Sequence, residues 1–152
     1  MKYLVFAGAF LVLLLLFGCT GGAGEKKTGV IDSADLSGFI FSTGEALNAG
    51  EDHNWENVDI SAEPWCTTQA GMCGNWSSVG KKELEDVTKI PTSGFISEKF
   101  DNCMDIKEGY AYVVKTKDGS YAKMKIISDE YTEKESRCDH KITFEYMYPF
   151  SE

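Results

Sequence analysis

At 152 residues, 43% hydrophobic and 26% charged, the chain has the composition of one folded domain and not of a disordered segment. Its net charge of −9, from 24 acids against 15 bases, argues against sequence-independent nucleic-acid binding, which needs a basic face. The same balance argues against docking on anionic lipid by charge alone.

Met1-Lys2-Tyr3 places a positive charge before an uncharged apolar run, Leu4 to Phe17. Such a run has the length of a secretory h-region and is short for a spanning helix. It ends at Leu16-Phe17-Gly18-Cys19. A small residue before a cysteine, just past an h-region, resembles the lipobox of prokaryotic lipoproteins, which implies that residues 1–18 are a signal peptide and that Cys19 is lipidated. Left uncleaved, the run would serve as an N-terminal membrane anchor. Either reading puts the domain outside the cytoplasm, in the cell envelope and tethered to a membrane. Thr20 to Gly29 carries four glycines and no apolar periodicity, so residues 19–35 read as the lipidated cysteine and a flexible linker. The domain itself is then expected over 36–152.

Five cysteines is an odd count for a secreted chain. Lipid on Cys19 leaves Cys66, Cys73, Cys103 and Cys138, an even set in an oxidising compartment, and three pairings are open. Cys66–Cys73 with Cys103–Cys138 is the preferred one. The first would close a short loop, and the second would join the starts of two strands at one end of a meander. Zinc is disfavoured, because no C-x2-C pair is present.

In chain order, Leu36 to Ser42 predicts a strand with Phe39 and Phe41 on one side. Asn48 to Asn57 is polar and predicts a loop, and Val58 to Ala62 a second strand. Glu63 to Ser78 reads as irregular chain held by a cysteine pair. Lys81 to Lys89, with Leu84 and Val87 three apart and Pro91 beyond, predicts one short helix. Gly94 to Phe100 predicts another strand.

Tyr110 to Ile127 predicts a hairpin. A two-residue turn at Asp118-Gly119 would mix lysines with apolar groups on both faces. A three-residue loop, Lys117-Asp118-Gly119, sets Val114 opposite Ala122, Tyr112 opposite Met124 and Tyr110 opposite Ile126. That register gathers the apolar groups on one face and turns Lys115, Lys123 and Lys125 outward, so it is the one expected. Asp129 to Arg137 reads as an acidic loop, and Ile142 to Tyr148 as a last strand ended by Pro149. The whole predicts an all-β, mainly antiparallel sheet or sandwich with one short helix.

Signals for chemistry are few. His53 and His140 each follow an aspartate and could together ligate a metal or a haem iron, although their setting is that of two surface loops. No nucleophile motif is present, and Glu83, Glu85 and Asp86 read as a solvated face, so an enzyme is not expected. Trp55, Trp65 and Trp76 either form an exposed binding surface or fill the core, and Asn75-Trp76-Ser77 is a sequon of low specificity.

The run Tyr112-Val113-Val114-Lys115-Thr116, Asp118-Gly119, Tyr121-Ala122-Lys123 and Ile142-Thr143-Phe144-Glu145-Tyr146 resembles the HmuY-like group of prokaryotic lipoproteins. Phe39 to Gly44 is similar to the opening strand of such modules. The resemblance implies a β-rich extracytoplasmic module. The expectation is a membrane-anchored lipoprotein of the envelope, a non-catalytic binding or structural module without a cofactor. Its alternative is a haem- or metal-binding lipoprotein using His53 and His140.

Overall fold

The structure is a computed structural model, and it describes residues 24–32, 37–47, 58–63, 69–96, 103–134 and 137–152. Among the described residues ten strands run β1 (Lys26–Asp32), β2 (Ser37–Ile40), β3 (Glu45–Leu47), β4 (Ile60–Glu63), β5 (Gly71–Gly74), β6 (Trp76–Lys81), β7 (Met104–Asp105), β8 (Tyr110–Lys115), β9 (Tyr121–Lys134) and β10 (Arg137–Met147). They form two five-stranded antiparallel sheets, ordered β1-β10-β9-β8-β6 and β3-β2-β4-β5-β7. The fold is an all-β sandwich.

Its frame is the predicted hairpin. Tyr112 pairs with Met124 and Val114 with Ala122, and the Thr116 N–H donates to the Ser120 carbonyl at 3.0 Å. Gly119 holds φ +86°, the left-handed position that the three-residue loop requires. The Asp118 carboxylate pins the loop by accepting from the Thr116 hydroxyl and the Ser120 N–H.

Tyr112, Val114, Ala122, Met124 and Ile126 therefore face inward and meet Phe39, Phe41, Ile60 and Met72 of the second sheet in one core. At its centre Phe39 lies edge-on to Phe41, Phe144 and Tyr146, with centroids 5.0–5.4 Å apart. Such edge-to-face pairs contribute about 0.5–1.5 kcal/mol each beyond area burial. Trp76 packs edge-on to Tyr112 at 4.9 Å and belongs to this core, not to an exposed surface.

Several expectations are corrected. The linker expected over residues 19–35 does not hold for Lys26–Asp32, which pair along their whole length with β10. Its glycine is structural: a Cβ on Gly29 would stand 2.5 Å from the Phe144 ring. Composition suggested a tether because a strand that admits two aromatic rings must lack a side chain there.

The helix contracts to one 3-10 turn, Leu84–Asp86. Nine residues ending in a charged, β-branched stretch cannot nucleate a helix unaided, and burial of Leu84 and Val87 holds the turn instead. Within Glu63 to Ser78 lie β5, a short strand of Gly, Met and Cys that propensity does not reveal, and the start of β6. Residues 94–96 are not a strand, and the remainder of that predicted element lies outside the described residues. The acidic loop Asp129 to Arg137 is mostly strand, because β9 and β10 stay paired out to Lys134 and Arg137.

The lysine face is also not simply solvated. Residues 82–95 cross the outside of the first sheet, where Val87, Ile90 and Phe95 pack with Ala111, Val113, Tyr121 and Phe150. Lys123 is buried beneath them, while Lys115 stays exposed.

The preferred disulfide pairing is overturned. Cys73 of β5 bonds to Cys103, just before β7, and thereby ties two neighbouring strands. Cys138 is disulfide-bonded as well, which excludes Cys103 as its partner. The pairing was misjudged because β5 was not foreseen as a strand lying beside β7.

Gly29→Ala should destabilise the fold by about 1–3 kcal/mol through overpacking, seen as a lower urea midpoint; a tether would be indifferent to it. Non-reducing peptide mapping should recover Cys73 joined to Cys103, and Cys73→Ser should cost about 2–4 kcal/mol in urea unfolding.

Candidate functional site

Only some of the groups first singled out for chemistry are among the described residues. Cys19, His53, Trp55, Trp65 and Cys66 lie outside the described residues. His140 is not on a surface loop: it is wholly buried on β10. Its Nδ1 lies 2.7 Å from Asp129 Oδ1, and the other Asp129 oxygen accepts the Ala70 N–H at 2.8 Å. One carboxylate thus joins β9 and β10 of the first sheet to the chain entering β5 of the second.

A β-bulge puts it there. Thr143 pairs with Ser128 but Phe144 with Ile126, so Ile127 is the extra residue. The bulge reverses the in-out phase of the strand. Ile126 faces the core, yet beyond the bulge it is Asp129 and Tyr131 that face inward, opposite Ile142 and His140. The Tyr131 ring leans on His140 at 5.1 Å, and its hydroxyl reaches Cys138 Sγ at 3.5 Å.

Surface depressions flank this junction. One, of about 460 Å³, is lined by Gln69, Ile106, Lys107, Glu108 and Asp129. Another, of about 220 Å³, includes His140, Asp139, Lys134 and Glu130 in its lining. Lys134 and Asp139 form an ion pair at the second. Among the described residues no three metal-ligating side chains converge.

At the opposite end, Asp59 is buried and accepts the N–H groups of Phe41 and Lys117, each at 2.8 Å. Burial pushes its carboxyl above the ordinary range, and those two backbone bonds hold it down only in part. Asp118, nearby and exposed, behaves oppositely: hydrogen bonds from the Thr116 hydroxyl, Tyr148 and Ser120 lower it to about 2. On the outer face Lys123 Nζ donates to the Val87 carbonyl at 2.9 Å and sits 4.9 Å over the Phe150 ring, and burial lowers its pKa.

These are bonds that join sheets and loops, and none assembles a nucleophile with a base. Sequence reasoning missed Asp129, Asp59 and Lys123. Asp59, in the alternating run Val58 to Ala62, carried the one available signal, a carboxylate inside a strand.

No family model and no curated protein matches the sequence. Solved structures do match its shape. A protein from Bacteroides vulgatus described as HmuY-like and haem-binding overlays with TM-score 0.52 at 14% identity, covering 85% of this chain and 94% of its own. A protein from Bacteroides fragilis described as a lipoprotein gives 0.53 at 11% identity, with 86% and 92% covered. The apo HmuY analog of Tannerella forsythia gives 0.50 at 14%, with 82% and 98% covered. The fold is thus HmuY-like, and the likeness spans most of the chain instead of its C-terminal third alone.

His140→Ala should cost about 3 kcal/mol, because it leaves the Asp129 carboxylate buried with one partner fewer; chemical denaturation reads this directly. Asp118 has a depressed folded pKa, so its contribution is present above the ordinary value of 3.8 and lost as pH falls through about 2. Urea midpoints across that window should fall further for the native chain than for Asp118→Asn, by a small margin because the group is exposed.

Proposed function

We propose that the chain is a lipoprotein of the cell envelope, anchored through Cys19, whose sandwich is a non-catalytic binding or structural module displayed outside the membrane. The observation that carries this reading is the overlay, across more than four-fifths of the chain, on a solved protein described as a lipoprotein and on HmuY-like proteins. The apolar run ending at Gly18-Cys19 supports the anchor. The absence of a nucleophile motif from the sequence supports a role without catalysis.

A second reading, haem binding, draws on the description of the Bacteroides vulgatus protein. His140 does not favour it as a ligand. Its imidazole is buried and bonded to Asp129, so ligation would require that pair to open. A haem reading therefore rests on His53 or on other groups.

Palmitate labelling of cells expressing the chain should mark the wild type and not Cys19→Ala, with the label in the membrane fraction. An unlabelled wild-type chain removes the anchor. Titration of the full chain with haem separates the two readings. No Soret shift leaves the first standing, while a shift abolished by His53→Ala and kept by His140→Gln would establish the second.

A further inference from the structure

Four parts of the chain meet beside the loop end of the β8–β9 hairpin. They are Asn75 just before β6, residues 90–95, the facing ends of β8 and β9 at Lys115 and Tyr121, and Glu152. Between them lies a depression of about 500 Å³, within the size range of small-molecule sites.

Bonds among these parts fix its shape. The Lys115 N–H donates to the Asn75 carbonyl at 2.8 Å, and the Phe150 N–H to the Tyr121 carbonyl at 2.7 Å. The Ile90 N–H donates to Glu152 Oε1 at 2.8 Å, and the Phe95 and Tyr121 ring centroids lie 6.1 Å apart. A lining tied together in this way is not ordered at a ligand's expense, which removes part of the cost of binding.

The lining has two kinds of surface. Ile90, Pro91, Phe95 and Tyr121 are half-buried and supply an apolar wall with two aromatic rings. Thr92, Lys115 and Glu152 are exposed beside it. Among the described residues no hydrogen bond or ion pair engages the Thr92 hydroxyl, the Tyr121 hydroxyl or Lys115 Nζ. An ammonium only donates, a carboxylate only accepts, and the two hydroxyls do both. The depressions beside Asp129 differ, because their polar lining is largely spent within the molecule: Glu108 accepts the Asp129 N–H, and Lys134 pairs with Asp139.

We propose that this depression binds a neutral saccharide, a pyranose ring laid on the aromatic wall with its hydroxyls bonded to Thr92, Lys115, Tyr121 and Glu152. A pyranose carries apolar C–H faces and a rim of hydroxyls that donate and accept, and the lining offers the complement of both. An apolar ligand would cover Lys115 and Glu152 without giving them partners. The cation and the anion of the lining balance, and a chain of net charge −9 disfavours an anionic ligand. A second depression, of about 420 Å³, shares Ile90, Pro91 and Thr92 and gives a longer saccharide room to continue. The inference rests on the binding form of the proposed function and not on the lipid. Failure to bind saccharide leaves the anchor standing, and a chain that palmitate does not label can still bind saccharide.

An array of neutral, sialylated and sulfated oligosaccharides, probed with the full chain in detergent, should retain it on neutral members. Calorimetric titration with the best-retained neutral oligosaccharide should then show Lys115→Ala weakened by about tenfold and Tyr121→Phe by about fivefold, since a bond from a charged donor outweighs a neutral one. Both variants should keep the native urea midpoint. Lys27→Ala, on the strand at the opposite edge of the sheet from β6, should bind as the native chain does. No retention on any neutral oligosaccharide, a preference for the acidic ones, or affinity indifferent to both Lys115→Ala and Tyr121→Phe overturns the proposal.

Discussion

The structure depends on the register of the β8–β9 hairpin. A three-residue loop at Lys117-Asp118-Gly119, with glycine in the left-handed region, sets Tyr112 against Met124 and Val114 against Ala122. A one-residue slip would exchange this face for the one that carries Lys123 and Lys125. Because the inward face is aromatic and aliphatic, the second sheet has something to pack against, and Phe39 and Phe41 enter among Phe144, Tyr146 and Met124. Asp118 serves the same loop from outside, which is why its carboxyl is held so low.

Regularity ends at the Ile127 bulge. Up to that point an apolar-inward alternation describes β9, and beyond it the phase reverses and a charged residue enters the interior. Asp129 is tolerated there because His140 and the Ala70 N–H satisfy it. A buried carboxylate without such partners would be costly, so the bulge, the histidine and the approach of the second sheet form one arrangement. Asp59 does the corresponding work at the other end, binding two backbone N–H groups from different elements. Both acids spend their hydrogen-bonding capacity on the frame.

Two faces of the first sheet are used differently. The inner one is the core. The outer one is covered in part by residues 82–95 and the C-terminal residues, with Lys123 enclosed between them. The covering segment is held by Lys125 to Glu83, Lys26 to Glu85, and the Ile90 N–H to the Glu152 carboxylate. Charged residues at 82–86 looked like a solvated helix face because their partners lie on other strands.

What could be read from residues alone was whatever depends on near neighbours: the hairpin turn and its register, the alternation from Ile142 to Tyr148, Phe39 and Phe41 on one side, and an all-β class. Their signals are local, since a turn glycine and a period of two act within a few residues. The partner of Cys73, the interior place of His140, Gly29 as a cleft for aromatic rings and the strand character of Gly71–Gly74 were decided only by tertiary structure. In each, a residue's role is set by a group distant in sequence: Phe144 for Gly29, Asp129 for His140, Cys103 for Cys73. No local period records which strand comes to lie beside which. That choice is made by the packing of one sheet on the other.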